Sequence, residues 1–348
     1  MNTAPELQSV PLPWQQETWR RLCARLADGT LPHALLISGV AGTGKQLFAQ
    51  AFAMLALCQH SENQRACGCC GSCRQFSAGA HPDYFYVAML EDRSAILVDQ
   101  IRELSQSLTL TSQYGGRKIA VLVPADAMNA NAVNSLLKTL EEPPADTLLL
   151  LVTARPARLA ATARSRCQDV HLPSPDRATV LQWLNSREPR HDWPALLDIA
   201  GGGPLAALSL ARYRPVQERL RFYTTLVELR NGRRNPMACA AGFDRETLPV
   251  ILRLLQSWVM DLIVLASAGD AGRWRIVNTD ALDLLQSVLK GINLRALHAY
   301  LEHLNEAVAL IATPVNTQLL LEGLFLEWAD GLRTLETAPL AACGGQFG

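Results

Sequence analysis

Two stretches hold side chains whose type and spacing could do chemistry. In GVAGTGKQLFAQ, Gly39, Gly42, Gly44 and Lys45 outline a phosphate-binding loop of the pattern G-x-x-x-x-G-K-[ST]. Such a loop turns backbone N–H groups and a helix N-terminus toward a phosphate, and its lysine neutralises the charge. The last position fails: Gln46 stands where a hydroxyl would hold magnesium. In CQHSENQRACGCCGSC, Cys58, Cys67, Cys70 and Cys73 read C-x8-C-x2-C-x2-C, four thiolates able to close tetrahedrally around zinc. Gly68 and Gly71 let that loop turn tightly. Four protein ligands leave no open position, so the expected zinc is structural. Cys69 is a surplus thiol that could replace Cys67 or Cys70, and free thiols or disulfides are the competing readings. His60 and His81 are expected at the surface or as caps.

The elements that must position these residues alternate through the first half of the chain. HALLIS reads as a strand entering the glycine loop, and LFAQAFAMLAL has helical spacing. YFYVA, RKIAVLV, TLLLLVT and QDVHL read as further strands, with helices over VDQIRELSQSL and AMNANAVNSLLKTLEE. Pro143 and Pro144 stop the last of these. The alternation predicts a parallel sheet covered on both faces, with ligands at the strands' C-terminal ends. After about residue 172 strand signals cease. PSPDRATVLQWL, WPALLDIA and PLAALSLARY predict three short helices, and from about 215 longer helices predict a bundle.

Bulk properties narrow the class. The chain has 348 residues, enough for two or three cores, and its 32 basic residues balance 32 acidic ones. Zero net charge argues against a protein that grips DNA alone through many phosphates, although GGRK at 115–118 forms a small basic patch. The N-terminus shows no basic stretch followed by an apolar run, so no secretory signal is expected. PVILRLLQSWVMDLIVLASAG is interrupted by Arg253, Gln256 and Asp261, which predicts a core helix rather than a membrane span. Clustered cysteines fit metal binding in a reducing cytoplasm better than disulfides.

The magnesium side of the loop is depleted twice. RKIAVLVPADAMN places Val123 and Pro124 where a metal-holding carboxylate pair would end the strand. Asp126, two residues on, is expected to cap the next helix. The site reads as catalytically silent, with neither ATP nor magnesium expected to be used by this chain itself.

The order strand–GVAGTGK–helix, a CxxCxxC insertion, HPDY, SLLKTLEEPP and SRC resembles bacterial DNA polymerase III clamp-loader subunits of the AAA+ class. The combination is similar to the delta prime branch rather than the ATP-hydrolysing gamma/tau branch. The likeness covers the first 215 residues well, and PVNTQLLLEGLFLEW is similar to the family's last collar helix. It implies an AAA+ α/β P-loop domain with an inserted zinc module over 1–172, a three-helix lid over 173–214 and an all-α collar over 215–335. The tail, 336–348, is expected to be disordered.

The resemblance further implies a hetero-pentamer with one delta and three gamma or tau subunits. That assembly opens the sliding clamp and places it on primed DNA, as part of a DNA-directed DNA polymerase holoenzyme. Leu205 falls where gamma-type subunits carry an arginine to their own nucleotide. Arg166 of SRC falls where an arginine reaches a neighbour's γ-phosphate in trans. Lys138, Glu141 and Glu142 are expected to pack against sheet or neighbour. Two rivals make distinct predictions: a gamma-type ATPase requires magnesium-dependent turnover from the isolated chain, and a zinc-stapled DNA-binding protein requires salt-dependent DNA affinity by the monomer.

Overall fold

The structure is a computed structural model that describes residues 11–90, 93, 95–114, 116–211, 215–311 and 315–332. The expected disordered tail lies outside them. Two compact units emerge, dividing after Arg212.

The first unit is built on five parallel strands in the order β2-β3-β4-β1-β5. Helix α1 (Gln16–Ala27) precedes β1 (Ala34–Ser38), α2 (Lys45–Leu57) follows the glycine loop, and α3 (Gly71–Ser77) closes the cysteine loop. Then come β2 (Tyr84–Val87), α4 (Val98–Thr109), β3 (Lys118–Leu122), α5 (Ala130–Glu141), β4 (Thr147–Thr153), α6 (Ala161–Arg164) and β5 (Gln168–His171). Central β1, β3 and β4 are buried along their whole length, so they read as apolar runs with polar residues only at their ends. The two-residue pleat sorts them: Leu35, Ile37, Ile119, Val121, Leu148, Leu150 and Val152 face a core shared with Trp19, Phe48 and Phe52. Leu36, Ala120, Leu122, Leu149 and Leu151 face the other core, against Ile101, Leu104, Leu136 and Leu140. Register sets Ser38 beside Thr153 and His171 at the strands' C-terminal ends, next to the glycine loop.

Three helices complete this unit: α7 (Arg177–Arg187), α8 (Trp193–Ile199) and α9 (Pro204–Ala211). Asp176 caps α7 and Asp192 caps α8, each accepting the N–H three residues ahead. A parallel sheet, an inserted cysteine module and a following helical trio match the AAA+ fold class expected.

The second unit is all helix: α10 (Pro215–Arg230), α11 (Pro236–Ala240), α12 (Leu248–Ala268), α13 (Leu282–Leu289), α14 (Leu294–Leu310) and α15 (Thr317–Leu326). Tyr223 stacks on Trp258 at 4.4 Å, and Trp328 Nε1 donates to the Leu226 carbonyl at 2.8 Å. Helix α12 is long and apolar enough to cross a membrane, yet 61% of its most apolar stretch is buried within the protein. Asp261 shows why the helix belongs to a core: it accepts from the amides of Val277 and Asn278 at 3.0 and 2.8 Å. Those bonds satisfy a carboxylate only 2% exposed.

Candidate functional site

The glycine loop leaves β1 at Ser38 and feeds the N-terminus of α2, the arrangement that aims N–H groups at an anion. A Cβ on Gly39 would lie 2.6 Å from the Leu172 carbonyl oxygen, and Gly44 caps α2 at φ +86°, a left-handed value. Gly42 turns its carbonyl toward the helical trio and accepts from Leu205 N at 3.0 Å. The loop is therefore held from outside. Trp14 Nε1 and Gln15 Nε2 both donate to the Thr43 carbonyl, at 2.9 and 3.0 Å.

Lys45 is folded inward. Its Nζ donates to the Val40 carbonyl at 2.6 Å, and burial lowers its pKa against the opposing pull of Asp126. A cavity of about 310 Å³ lies beside it, with Val123, Pro124, Val152 and Leu205 among its walls. Gln46, at the magnesium position, donates its amide to the Tyr86 hydroxyl at 2.9 Å. Val123 and Pro124 do occupy the cavity wall at the end of β3, where they offer no carboxylate.

Asp126 corrects one expectation. It does not cap α5; Asn129 does, accepting from Ala132 N at 2.8 Å. Asparagine sits in the extended residue directly before the helix, which is where a capping oxygen reaches the third amide. The Asp126 carboxylate instead accepts from Thr153 Oγ1 at 2.6 Å and Arg155 Nε at 2.9 Å.

The four cysteines converge. Sulfurs of Cys58, Cys67, Cys70 and Cys73 all lie within 4.8 Å of one another. Cys58 and Cys67 are 3.5 Å apart and Cys67 and Cys73 3.9 Å, against about 3.8 Å for the edge of a tetrahedron with 2.3 Å zinc–sulfur bonds. Backbone N–H groups point at these sulfurs: Cys67 N at Cys58, Cys70 N at Cys67 and Cys73 N at Cys70, at 3.3 to 3.4 Å. Amides of Cys69 and Cys70 hold the Cys67 thiol down to about 6, whereas burial pushes Cys73 up. Such a donor set fits a metal ion. Cys69 is exposed and stands outside it.

Arg166 projects just beyond α6. Nη1 donates to the Thr162 carbonyl at 2.8 Å, and Nη2 pairs with Glu141 Oε1 at 2.6 Å. Lys138, Glu141 and Glu142 are exposed, so they do not pack against the sheet. The polar face of α5 is its outer face, and the sheet takes Val133, Leu136 and Leu140 instead.

Comparison with known proteins is decisive at this point. Residues 14–176 match a family described as DNA polymerase III, delta subunit, and residues 215–330 match its C-terminal counterpart. DNA polymerase III subunit delta' of Pseudomonas aeruginosa is 34% identical over 91% of this chain and 97% of its own length. The chain belongs to the DNA polymerase III delta prime family. The Escherichia coli delta' subunit is 32% identical, over 90% of this chain and 94% of its own. Among solved structures, a gamma subunit-related protein of Thermotoga maritima superposes with a TM-score of 0.44 at 17% identity, covering 90% of this chain and 98% of that one.

Two further sites in this family member depart from the sequence reading. His81 is neither surface nor cap: it is 4% exposed. Its Nδ1 accepts from Asp83 N at 3.0 Å, which leaves Nε2–H to donate to Ser72 Oγ at 2.9 Å. Ser72 in turn donates to the Leu57 carbonyl at 2.7 Å, so HPDY ties the cysteine loop to the end of α2. Asp83 accepts from Ser112 Oγ and from the amides of Gln113 and Tyr114, at 2.9, 3.1 and 3.2 Å. The GGRK patch also loses its lysine. Lys118 is buried, and its ammonium donates to the carbonyls of Leu108 and Leu110 at the end of α4.

Proposed function

We propose that this chain is a non-hydrolysing subunit of the clamp loader, joining delta and gamma or tau subunits in a hetero-pentamer that loads a sliding clamp onto primed DNA. Its contribution to nucleotide chemistry is Arg166, presented to the ATP of a neighbour. The observation that carries this reading is a contrast between two cations. Lys45, the cation of its own loop, is buried and bonded to the Val40 carbonyl, whereas the Arg166 side chain is 37% exposed beside an exposed partner.

A planar guanidinium delivered in trans stabilises the charge that spreads over the transferring phosphoryl oxygens, an effect worth roughly 10³- to 10⁵-fold in rate at the served site. Magnesium and ATP belong to the neighbour in this scheme. Gln46, Val123 and Leu205 support silence at the chain's own loop. Cys58, Cys67, Cys70 and Cys73 are proposed to hold a structural zinc that staples the loop after α2. The cytoplasm is the proposed site of action, where thiols stay reduced.

ATP turnover tests the reading. The isolated chain with magnesium is expected to show none, and mixing with gamma and delta subunits is expected to yield turnover that Arg166→Ala slows at the site facing this chain. Robust turnover by the isolated chain, or an Arg166→Ala complex indistinguishable from the parent, overturns it.

A further inference from the structure

A cleft of about 770 Å³ opens in the helical unit between α10, α11 and the start of α12. Its floor is apolar, with Phe222, Phe243, Ile251 and Leu254; the two phenylalanines meet edge to face at 6.0 Å. Its rim is cationic: Arg221 from α10, and Arg233 and Arg234 from the loop before α11. Arg234 is engaged by Glu228 at 2.6 Å. Arg221 and Arg233 are exposed and form no ion pair among the described residues. Asp244, a nearby carboxylate in sequence, is turned to Thr247 and accepts its N–H at 2.9 Å and its hydroxyl at 2.8 Å.

This volume falls within the roughly 300–1,000 Å³ of clefts that hold organic ligands, and the lining is of the usual kind, apolar with a few polar groups. Two unpaired cations over an aromatic floor are complemented by an anion joined to a bulky apolar group. Two features favour a peptide. On α11, next in sequence to the cleft-lining Ala238, Met237 is 54% exposed. Asn235 uses its carbonyl oxygen to cap α11, accepting from Met237 N at 2.8 Å, and its amide nitrogen has no partner among the described residues. That nitrogen is a donor for a backbone carbonyl.

We infer that this cleft seats an acidic peptide segment of a partner protein, with a bulky apolar side chain on the Phe222–Phe243 floor and a carboxylate on Arg221 and Arg233. The inference is independent of Arg166 and of the glycine loop.

The test uses the full chain and 8-anilinonaphthalene-1-sulfonate, a dye with an aromatic body and one anionic group. Saturable fluorescence is expected, with affinity lowered about tenfold by the Arg221→Glu, Arg233→Glu double variant. Ala238→Trp, at an exposed cleft position, should block the mouth and lower it as well. The peptide acetyl-Asp-Phe-Asp-Trp-amide should displace the dye, and acetyl-Lys-Phe-Lys-Trp-amide should not. Dye binding unchanged in both variants overturns the inference, as does equal displacement by both peptides. Displacement by decanoate but not by the acidic peptide overturns the peptide assignment in favour of a free amphiphile.

Discussion

Arg166 and Glu141 form an ion pair at 2.6 Å that joins the SRC stretch to the last residue of α5. Both side chains are partly exposed, at 37% and 50%, so water screens the pair and it is worth at most about 1 kcal/mol. A triphosphate offers a guanidinium more charge and more acceptors than one carboxylate does. Glu141→Gln is therefore expected to leave the melting temperature within about 2 °C of the parent and to preserve turnover in the reconstituted complex. Arg166→Lys should not rescue Arg166→Ala, because an ammonium lacks the planar fork. Loss of turnover in Glu141→Gln would show the pair itself to be the working unit.

Metal content separates the four converging cysteines from the fifth. One zinc per chain is expected by elemental analysis, retained in Cys69→Ser and lost in Cys73→Ser. Loss of the ion should lower the melting temperature by roughly 5 °C or more, since binding energy of a structural metal is folding energy. Zinc lost in Cys69→Ser but kept in Cys67→Ser would assign the ligand set differently.

Restoring one residue should not restore the glycine loop. Gln46→Thr supplies a hydroxyl, yet Val123 and Pro124 still leave the metal without a carboxylate and Lys45 still faces the Val40 carbonyl. Magnesium-dependent turnover by isolated Gln46→Thr is expected to stay at background. Measurable turnover would locate the whole defect at residue 46.

His81 holds the cysteine loop against α2, and its removal leaves the Asp83 amide without its acceptor and Ser72 Oγ with the Leu57 carbonyl alone. His81→Ala should cost about 1–3 kcal/mol in denaturant unfolding and hasten zinc release to a chelator. Stability equal to the parent would mean that water replaces the ring without loss.

In the helical unit, His303 Nδ1 lies 2.8 Å from Glu327, whose carboxylate raises the imidazole pKa above its usual 6.5. A raised folded pKa means that the pair's stabilisation is complete below about 6.5 and is lost as pH rises through the folded value. Its size is under about 1 kcal/mol, because the His303 side chain is 51% exposed. Comparing denaturation midpoints of the parent and His303→Gln from pH 5.5 to 8.5, the difference should shrink toward high pH. A difference that grows instead would contradict the pairing.

Much of this was legible in residue order because burial writes itself into periodicity. Strands β1, β3 and β4 were plain because both faces are covered and every position between their ends is apolar. Helix α1 went unread, although Trp19, Leu22, Cys23 and Leu26 mark one face at helical spacing. Spacing could name the cysteine ligands only up to Cys69. The fold sets Cys69 apart: the amides of Cys70 and Cys73 each donate to the sulfur three residues back, and the Cys69 thiol is exposed outside the four converging sulfurs. His81, Lys118 and Asp126 misled for a shared reason. Each is a polar residue whose hydrogen bonds are met inside the protein, by Ser72 and the Asp83 amide, by the Leu108 and Leu110 carbonyls, and by Thr153 and Arg155. A residue type does not reveal whether its hydrogen bonds are met by protein or by water.

Helix α2 is the feature with the widest reach. Thirteen residues make a rod of about 20 Å, with the glycine loop at one end and Cys58 at the other. The Trp14–Gln15 clasp grips the first end, and the cysteine cluster with His81 grips the second. A helix held at both tips resists tilting, so the loop and the cysteine cluster share one rigid element. Under the proposed function, this strut is the fixed element against which the nucleotide-driven neighbours would lever.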